Sequence, residues 1–339
     1  MHVSPDERPL LAATRPYARE QATRTLFETA QTFLVLGLCV ALAAAPLPWP
    51  LRLLGSVLTG LAIVRGFILY HDARHGAILR GRSLAARLGR AVLWAFGVLV
   101  LTPPTIWTES HDYHHDHTAK IVGSHIGSFP VLTVGMYGRV TPAQRRAYRI
   151  ARSPLLIALG YLTVFLWGMC LGPFLRNPRK YWDSALALVV HGLLLAGVTL
   201  LAGWTTALFT VVGPLTLTFA LGAYLFYAQH NFPGIVVQGR HEWRYTEAAL
   251  HASSYLRTGP VLGWFTGNIG YHHVHHLNPG IPFYRLPEAM AGIEALQAPT
   301  TTSLHPRDIM ACLRLKLWDP EAGRMVGWEA VDGPTPAAP

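Results

Sequence analysis

Four stretches of the chain stay apolar long enough to cross a membrane, at roughly 31–49, 53–70, 184–203 and 206–228. A helix needs about 20 such residues to span ~30 Å of hydrocarbon. The first, third and fourth stretches contain no charged residue. The second carries Arg65 near its end, where a long side chain is expected to snorkel toward the headgroups. Two further stretches are interrupted or flanked differently. The one at 90–107 begins after Arg80, Arg82, Arg87 and Arg90 and is broken by Pro103-Pro104; the one at 154–175 has Arg145, Arg146, Arg149 and Arg152 before it and Arg176, Arg179 and Lys180 after it. Positive charge on both flanks of 154–175 places both its ends on the cytoplasmic side, so it is expected to dip into the membrane without crossing, and 90–107, which begins after a run of arginines, reads the same way. The connectors 47–52 and 203–206 carry only Arg52 and suit the outer face.

The pattern therefore predicts an all-α integral membrane protein. It has about four transmembrane helices in two hairpins, interfacial helices, and a histidine-rich cap on the cytoplasmic side. Residues 1–332 read as a single domain and 333–339 (Gly-Pro-Thr-Pro-Ala-Ala-Pro) as a disordered tail. About 30 polar and mixed residues precede the first apolar run, so a cleavable signal is not expected.

Composition agrees. The 339 residues are 51% hydrophobic and 14% charged, against about a quarter charged in soluble domains, and the mean hydropathy is +0.28. The formal net charge of +10 does not point to nucleic acid, because no nucleic-acid-binding module accompanies it and the arginines flank apolar runs. Cys39, Cys170 and Cys312 stand far apart and form neither a disulfide framework nor an iron–sulfur or zinc spacing.

The candidate chemistry lies in the 17 histidines. His71 and His75 end the second span; His111, His114 and His115 form an HxxHH; His272, His275 and His276 form another, with His273 inside; His230 stands alone after the fourth span. On a helix, residues i and i+4, or i and i+3, share a face. Each cluster could thus ligate one metal. With His230 they supply nine imidazoles, too many for one ion and suited to two. Imidazole sites hold zinc, copper, iron or nickel, but zinc takes four ligands, or three at a catalytic site. Nine imidazoles without cysteine favour a pair of higher-coordinate redox metals, with iron the choice. Asp72, Asp112, Asp116 and Glu109 interleave with the histidines and suit hydrogen bonds that orient ligating imidazoles. Asn268, four residues before His272, could face the metals or serve a turn, and His273 could support the ligands from behind. His191, alone within the third span, suits an interhelical hydrogen bond. His117 and His125 fall in a polar stretch, while His2, His241, His251 and His305 have no supporting context.

The motifs HDARHGA (71–77), WTESHDYHHDHT (107–118), FYAQHNF (226–232) and GWFTGNIGYHHVHHLNPGIPFYRLPEA (263–289), with CLRLKLWDPEAGRMVGW (312–328), resemble the membrane fatty acid desaturase superfamily. Their wording is closest to bacterial and plant acyl-lipid desaturases of the omega-6 (delta-12) type. The resemblance implies a di-iron centre on the cytoplasmic face, ligated by His71, His75, His111, His114, His115, His230, His272, His275 and His276. It implies removal of two hydrogens from adjacent methylenes of an acyl lipid, acyl-CoA or acyl-carrier-protein substrate, with O₂ as co-substrate. His305-Pro306-Arg307-Asp308 lacks the glycines of a haem-binding motif, so a separate ferredoxin or cytochrome b5 is expected to supply electrons. Arg74 departs from the small residue usual in the first motif. Hydroxylases, epoxygenases, conjugases and carotenoid ketolases share the same framework and are the near alternatives. A histidine-rich metal transporter is the remote one, since its ligands should lie along a path inside the spans.

Overall fold

The computed structural model describes residues 4–121 and 129–332. The expectations for His2, His125 and the tail 333–339 lie outside the described residues. Among the described residues four helices are long and apolar enough to cross a membrane: α1 (Ala22–Ala44), α2 (Trp49–Arg74), α5 (Trp182–Ala202) and α6 (Trp204–Ala228). Between the two hairpins lie α3 (Leu84–Leu99) and α4 (Pro104–His117), which meet at 93°. The break coincides with Pro103-Pro104, where the missing N–H groups and the restriction on the preceding residue stop a helix. The apolar stretch at 154–175 forms the short helix Pro154–Ala158 and a π-helical segment, Tyr161–Leu171.

α1 begins nine residues before the apolar stretch that announced it. Helical hydrogen bonding continues through the polar turns 22–30, which hydropathy cannot detect. α1 and α2 pack closely through Gly55, where a Cβ would lie 2.5 Å from the Ala43 nitrogen. Small residues of this kind let membrane helices approach through their backbones. Thr218 of α6 donates to the Gly60 carbonyl of α2 at 2.9 Å. Arg52, in the first turn of α2, donates to Thr206 of α6 at 3.2 Å. The two hairpins therefore stand in register, and the opposite ends of α2 and α6, carrying His71, His75 and His230, come out together.

Two arginines depart from the expectations for them. Arg65 does not snorkel: it is 2% exposed, 2.5 Å from the Glu28 carboxylate of α1, hydrogen-bonded to Thr32 and to the Trp264 carbonyl, and stacked over the Trp264 ring at 4.0 Å. A carboxylate one helix away gives the guanidinium a partner that water at the headgroups would otherwise have supplied. Arg152, read as a flanking surface charge, is 1% exposed. Carbonyls and side chains from three distant segments surround it, as described below.

The polar end is closed by short elements after α6. β1 (Tyr255–Arg257) pairs in parallel with β2 (Thr301–Ser303), and β3 (Leu317–Asp319) pairs antiparallel with β4 (Arg324–Val326). Phe232, Ile235, Ala252, Cys312 and Trp318 form the apolar filling of this cap. The N-terminal segment folds back onto it. Glu7 accepts from the Thr246 amide at 2.9 Å, and Asn278 donates to Thr14 at 2.8 Å.

Candidate metal centre

The three histidine motifs and His230 converge beneath the cap. α2 delivers His71, with His75 at its C-terminus. α4 delivers His111, His114 and His115, and its start is fixed by the Thr105 amide donating to Asp183 of α5 at 2.7 Å. A six-residue helix, α7 (His272–Leu277), delivers the third set. It follows a tight loop in which Asn268 adopts φ 55°.

The nine imidazoles sort into two groups: His71, His75, His111, His115 and His275 in one, His114, His230, His272 and His276 in the other. Within each group the candidate ligand atoms all lie within 4.8 Å of one another. The sorting divides each HxxHH motif between the two groups. In each HxxHH the i and i+4 positions share a group with each other only: His111 with His115, and His272 with His276. The i+3 histidine turns about 100° away, so His114 and His275 cross into the opposite groups. Both groups are thereby built from α4 and α7 together.

The geometry within the groups tests whether metal fits. His111 Nε2 lies 3.1 Å from His71 Nε2 and 3.2 Å from His115 Nε2, which is itself 3.1 Å from His275 Nε2. In the second group His230 Nε2 lies 3.0 Å from His114 Nε2 and 2.8 Å from His272 Nε2, and His272 Nε2 lies 3.2 Å from His276 Nε2. A ring nitrogen has one in-plane site, either a proton or a lone pair. It cannot satisfy two facing nitrogens at once, so hydrogen bonds alone do not explain these chains. Adjacent ligands on metal–nitrogen bonds of roughly 2.1 Å sit about 3 Å apart, and the groups fit a metal ion each.

The opposite nitrogens are held. His71 Nδ1 donates to Asp72 Oδ1 at 3.0 Å, and Asp72 Oδ2 accepts the Phe283 amide at 2.6 Å. His230 Nδ1 donates to the Ala252 carbonyl at 2.9 Å. Thr118 Oγ1 sits 3.3 Å from His276 Nδ1 while donating to the His114 carbonyl at 2.7 Å. Trp107 stacks on His111 with centroids 4.5 Å apart. Burial holds His230 down to about 4. It pushes His272, His275 and His276 well below the ordinary imidazole range, with repulsion from neighbouring imidazoles adding to it. These rings are neutral at physiological pH and offer lone pairs, as metal binding requires.

The other candidates separate. Asp72 is buried and engaged. Asp112 is mostly exposed, with His75 Nδ1 at 3.9 Å, beyond hydrogen-bonding reach. His273 turns away and donates to the Leu296 carbonyl at 3.1 Å. Asn268 serves the turn: its backbone is left-handed and its amide donates to the Phe283 carbonyl at 3.4 Å. His191 bonds the Tyr161 hydroxyl across helices at 2.6 Å. His117 stacks on Tyr113 at 3.9 Å, outside both groups. Thr118, Trp107 and the Ala252 carbonyl were not singled out from the sequence. Thr118 and Trp107 do bound the WTESHDYHHDHT motif, but the Ala252 carbonyl leaves no sequence signal because any residue supplies one.

Next to the imidazoles lies a cavity of about 310 Å³, whose lining includes Phe67, Trp107, Phe165, Phe219 and Phe226 together with His71, His111 and His272. The profile of the fatty acid desaturase family matches residues 47–307. The chain belongs to the fatty acid desaturase family. It is 30% identical over 319 residues to a fatty acid desaturase of Bacillus subtilis, covering 93% of this chain and 89% of that protein. It is also similar to an sn-1 oleoyl-lipid 12-desaturase of Synechocystis (24% over 246 residues, 71% of this chain and 67% of the relative). A chloroplastic omega-6 fatty acid desaturase of Brassica napus matches at 25% over 259 residues, 74% of this chain and 55% of the relative. As a family member the chain is a membrane oxidoreductase of fatty acid metabolism, and its histidine clusters are compatible with a metal centre.

Proposed function

We propose that this protein is an O₂-dependent fatty acyl desaturase whose two irons are held by His71, His75, His111, His115 and His275 on one side and His114, His230, His272 and His276 on the other. The observation that carries the reading is the pairing of two all-imidazole groups with an apolar chamber lined by members of both.

The reaction is –CH₂–CH₂– + O₂ + 2 H⁺ + 2 e⁻ → –CH=CH– + 2 H₂O. An unactivated methylene has no acidic proton, so no side-chain base can begin it. Bound iron supplies the oxidant, made from O₂ and two electrons, and the chain's residues do the rest. The imidazoles fix the metals; Asp72, the Ala252 carbonyl and Thr118 hold the rings. The chamber excludes water and aligns the acyl chain against His71, His111 and His272. Along α2 it runs from Ile63 to His71, eight residues or about 12 Å at ~1.5 Å per residue. An extended methylene chain advances ~1.25 Å per carbon, given C–C bonds of ~1.52 Å and angles of ~111°. The chamber thus suits roughly ten methylenes, the scale of a fatty acyl tail. In this reading the metals lie on the cytoplasmic face, where the positive-inside pattern puts the cap. The substrate is an acyl lipid, acyl-CoA or acyl-carrier protein, and a separate ferredoxin or cytochrome b5 brings the electrons.

Expression in a bacterial host limited to saturated and monounsaturated fatty acids, with a co-expressed ferredoxin system, tests the reading by gas chromatography–mass spectrometry of fatty acid methyl esters. A new unsaturated species, absent with His272→Ala, is expected. A new hydroxy or epoxy species would transfer the protein to those activities on the same framework.

A further inference from the structure

We infer that Arg152 binds the carbonyl oxygen of the acyl ester or thioester and thereby fixes which methylenes reach the metals. The inference rests on the desaturase reading above.

Arg152 is buried, 1% exposed, and its acceptors among the described residues are all uncharged. Nη1 donates to the Pro130 carbonyl at 2.8 Å. Nη2 reaches Asn231 Oδ1, the Tyr227 hydroxyl at 3.3 Å and the Leu315 carbonyl at 3.2 Å. Its Nε–H is buried and has no acceptor among the described residues. A second cation, Lys316, is 5% exposed and donates to the Arg152 carbonyl at 2.6 Å. Residues 1–3, 122–128 and 333–339 contain no aspartate or glutamate to compensate. Two buried cations without a carboxylate are costly unless further oxygen acceptors arrive.

Arg152 faces such a cavity, about 30 Å³, with Asn231, Tyr227, His114 and His230 in its lining. That is room for a few atoms at most, so a carbonyl group fits and a phosphate does not. Phe129 and Phe226 line both this cavity and the 310 Å³ apolar chamber, and their ring centroids are 6.5 Å apart. The two cavities thus share an aromatic wall beside the imidazoles. One side accepts methylenes; the other offers a guanidinium donor. A fatty acyl group has this polarity, with the tail in the chamber, the reacting carbons against the imidazoles and the carbonyl on Arg152. The carbonyl is common to lipid, CoA and carrier-protein substrates, so the assignment is independent of the carrier.

The test uses iron-loaded, full-length enzyme with its electron-donor system. It compares oleoyl phosphatidylcholine vesicles, oleoyl-CoA and oleoyl-acyl-carrier protein, and proceeds with whichever carriers turn over. Arg152→Gln is expected to raise KM on the order of tenfold or more, the loss of a buried charge-assisted hydrogen bond. It is also expected to scatter the double bond over neighbouring carbons at unchanged iron per chain, with Arg152→Lys intermediate. Unchanged KM and a single double-bond position in iron-replete Arg152→Gln would overturn the inference. Because a buried arginine can matter for folding, the wild-type enzyme is also given a substrate whose carbonyl is replaced by CH₂ (an S-alkyl-CoA thioether or an ether lipid). Loss of positional fidelity with that analogue is expected; the same position and KM as for the acyl substrate would overturn the inference without any variant. Absence of any new double bond with every carrier in the wild type, in saturated as well as oleoyl chains, would instead defeat the desaturase reading itself.

Discussion

Replacing Asp72 with asparagine changes one oxygen to an NH₂ at a buried crossing of two donors. Asp72 is 1% exposed; one oxygen accepts from His71 Nδ1 and the other from the Phe283 amide. An asparagine has only one acceptor to offer. If it faces His71, its NH₂ points at the Phe283 N–H; if it faces Phe283, its NH₂ points at His71 Nδ1 and drives the proton to Nε2, the atom turned toward the other imidazoles. The first arrangement leaves the buried Phe283 donor without a partner, at about 1–3 kcal/mol; the second places a proton on the nitrogen that would bind metal. Loss of a group that orients a metal ligand lowers metal affinity about 10- to 100-fold. Purified Asp72→Asn should therefore melt lower in detergent and release iron to a competing chelator at correspondingly lower chelator concentration. Asp72→Glu, which keeps two acceptors, should keep more iron than Asp72→Asn if the chain can absorb the extra methylene. Wild-type iron affinity and wild-type melting in Asp72→Asn would refute the idea that this carboxylate sets the His71 tautomer.

Other consequences follow from the same geometry. Glu28→Gln removes the charge facing Arg65 within the helix pair, and thermal unfolding in detergent should show a loss of about 3–5 kcal/mol. Gly270→Ala drives a methyl group into the Leu256 carbonyl oxygen, so the loop leading to α7 must shift and iron per chain should fall. His273→Ala loses the bond to the Leu296 carbonyl and, because His273 is 1% exposed, leaves a cavity; it should cost about 2–5 kcal/mol yet keep the full iron content, in contrast to His272→Ala. Gly222→Leu points a side chain toward the acyl chamber, where a Cβ meets nothing nearer than Phe165 at 3.9 Å. Its product profile should move toward shorter acyl chains, read by mass spectrometry, with iron unchanged.

Much of this arrangement is written locally. The four spans stand out because lipid demands uninterrupted apolar turns, and the break between α3 and α4 follows from Pro103-Pro104. The nine histidines are visible because HxxxH and HxxHH put imidazoles on neighbouring faces of one helix. Their division is not visible from one helix: His114 and His275 leave their own motif partners because 100° of helical turn faces them to a different neighbour, and only the crossing of α4 with α7 decides which. Long-range partners were equally hidden. Arg65 looked like a snorkelling side chain because Glu28 is 37 residues away. Arg152 looked like surface charge because its acceptors come from Pro130, Asn231 and Leu315. Asp112 and Asp72 stand in equivalent places beside histidines, yet one faces solvent and the other the Phe283 amide, a difference set by where the 263–289 segment folds.

The most direct measurement is the metal content of the purified full-length protein, by elemental analysis with Mössbauer spectroscopy of iron-57-grown material. Two irons per chain in imidazole-rich sites are expected, falling to one or none in both His230→Ala and His275→Ala, which strike opposite groups. A stoichiometric zinc, or iron near zero in protein that is folded by its melting profile, would contradict the di-iron account.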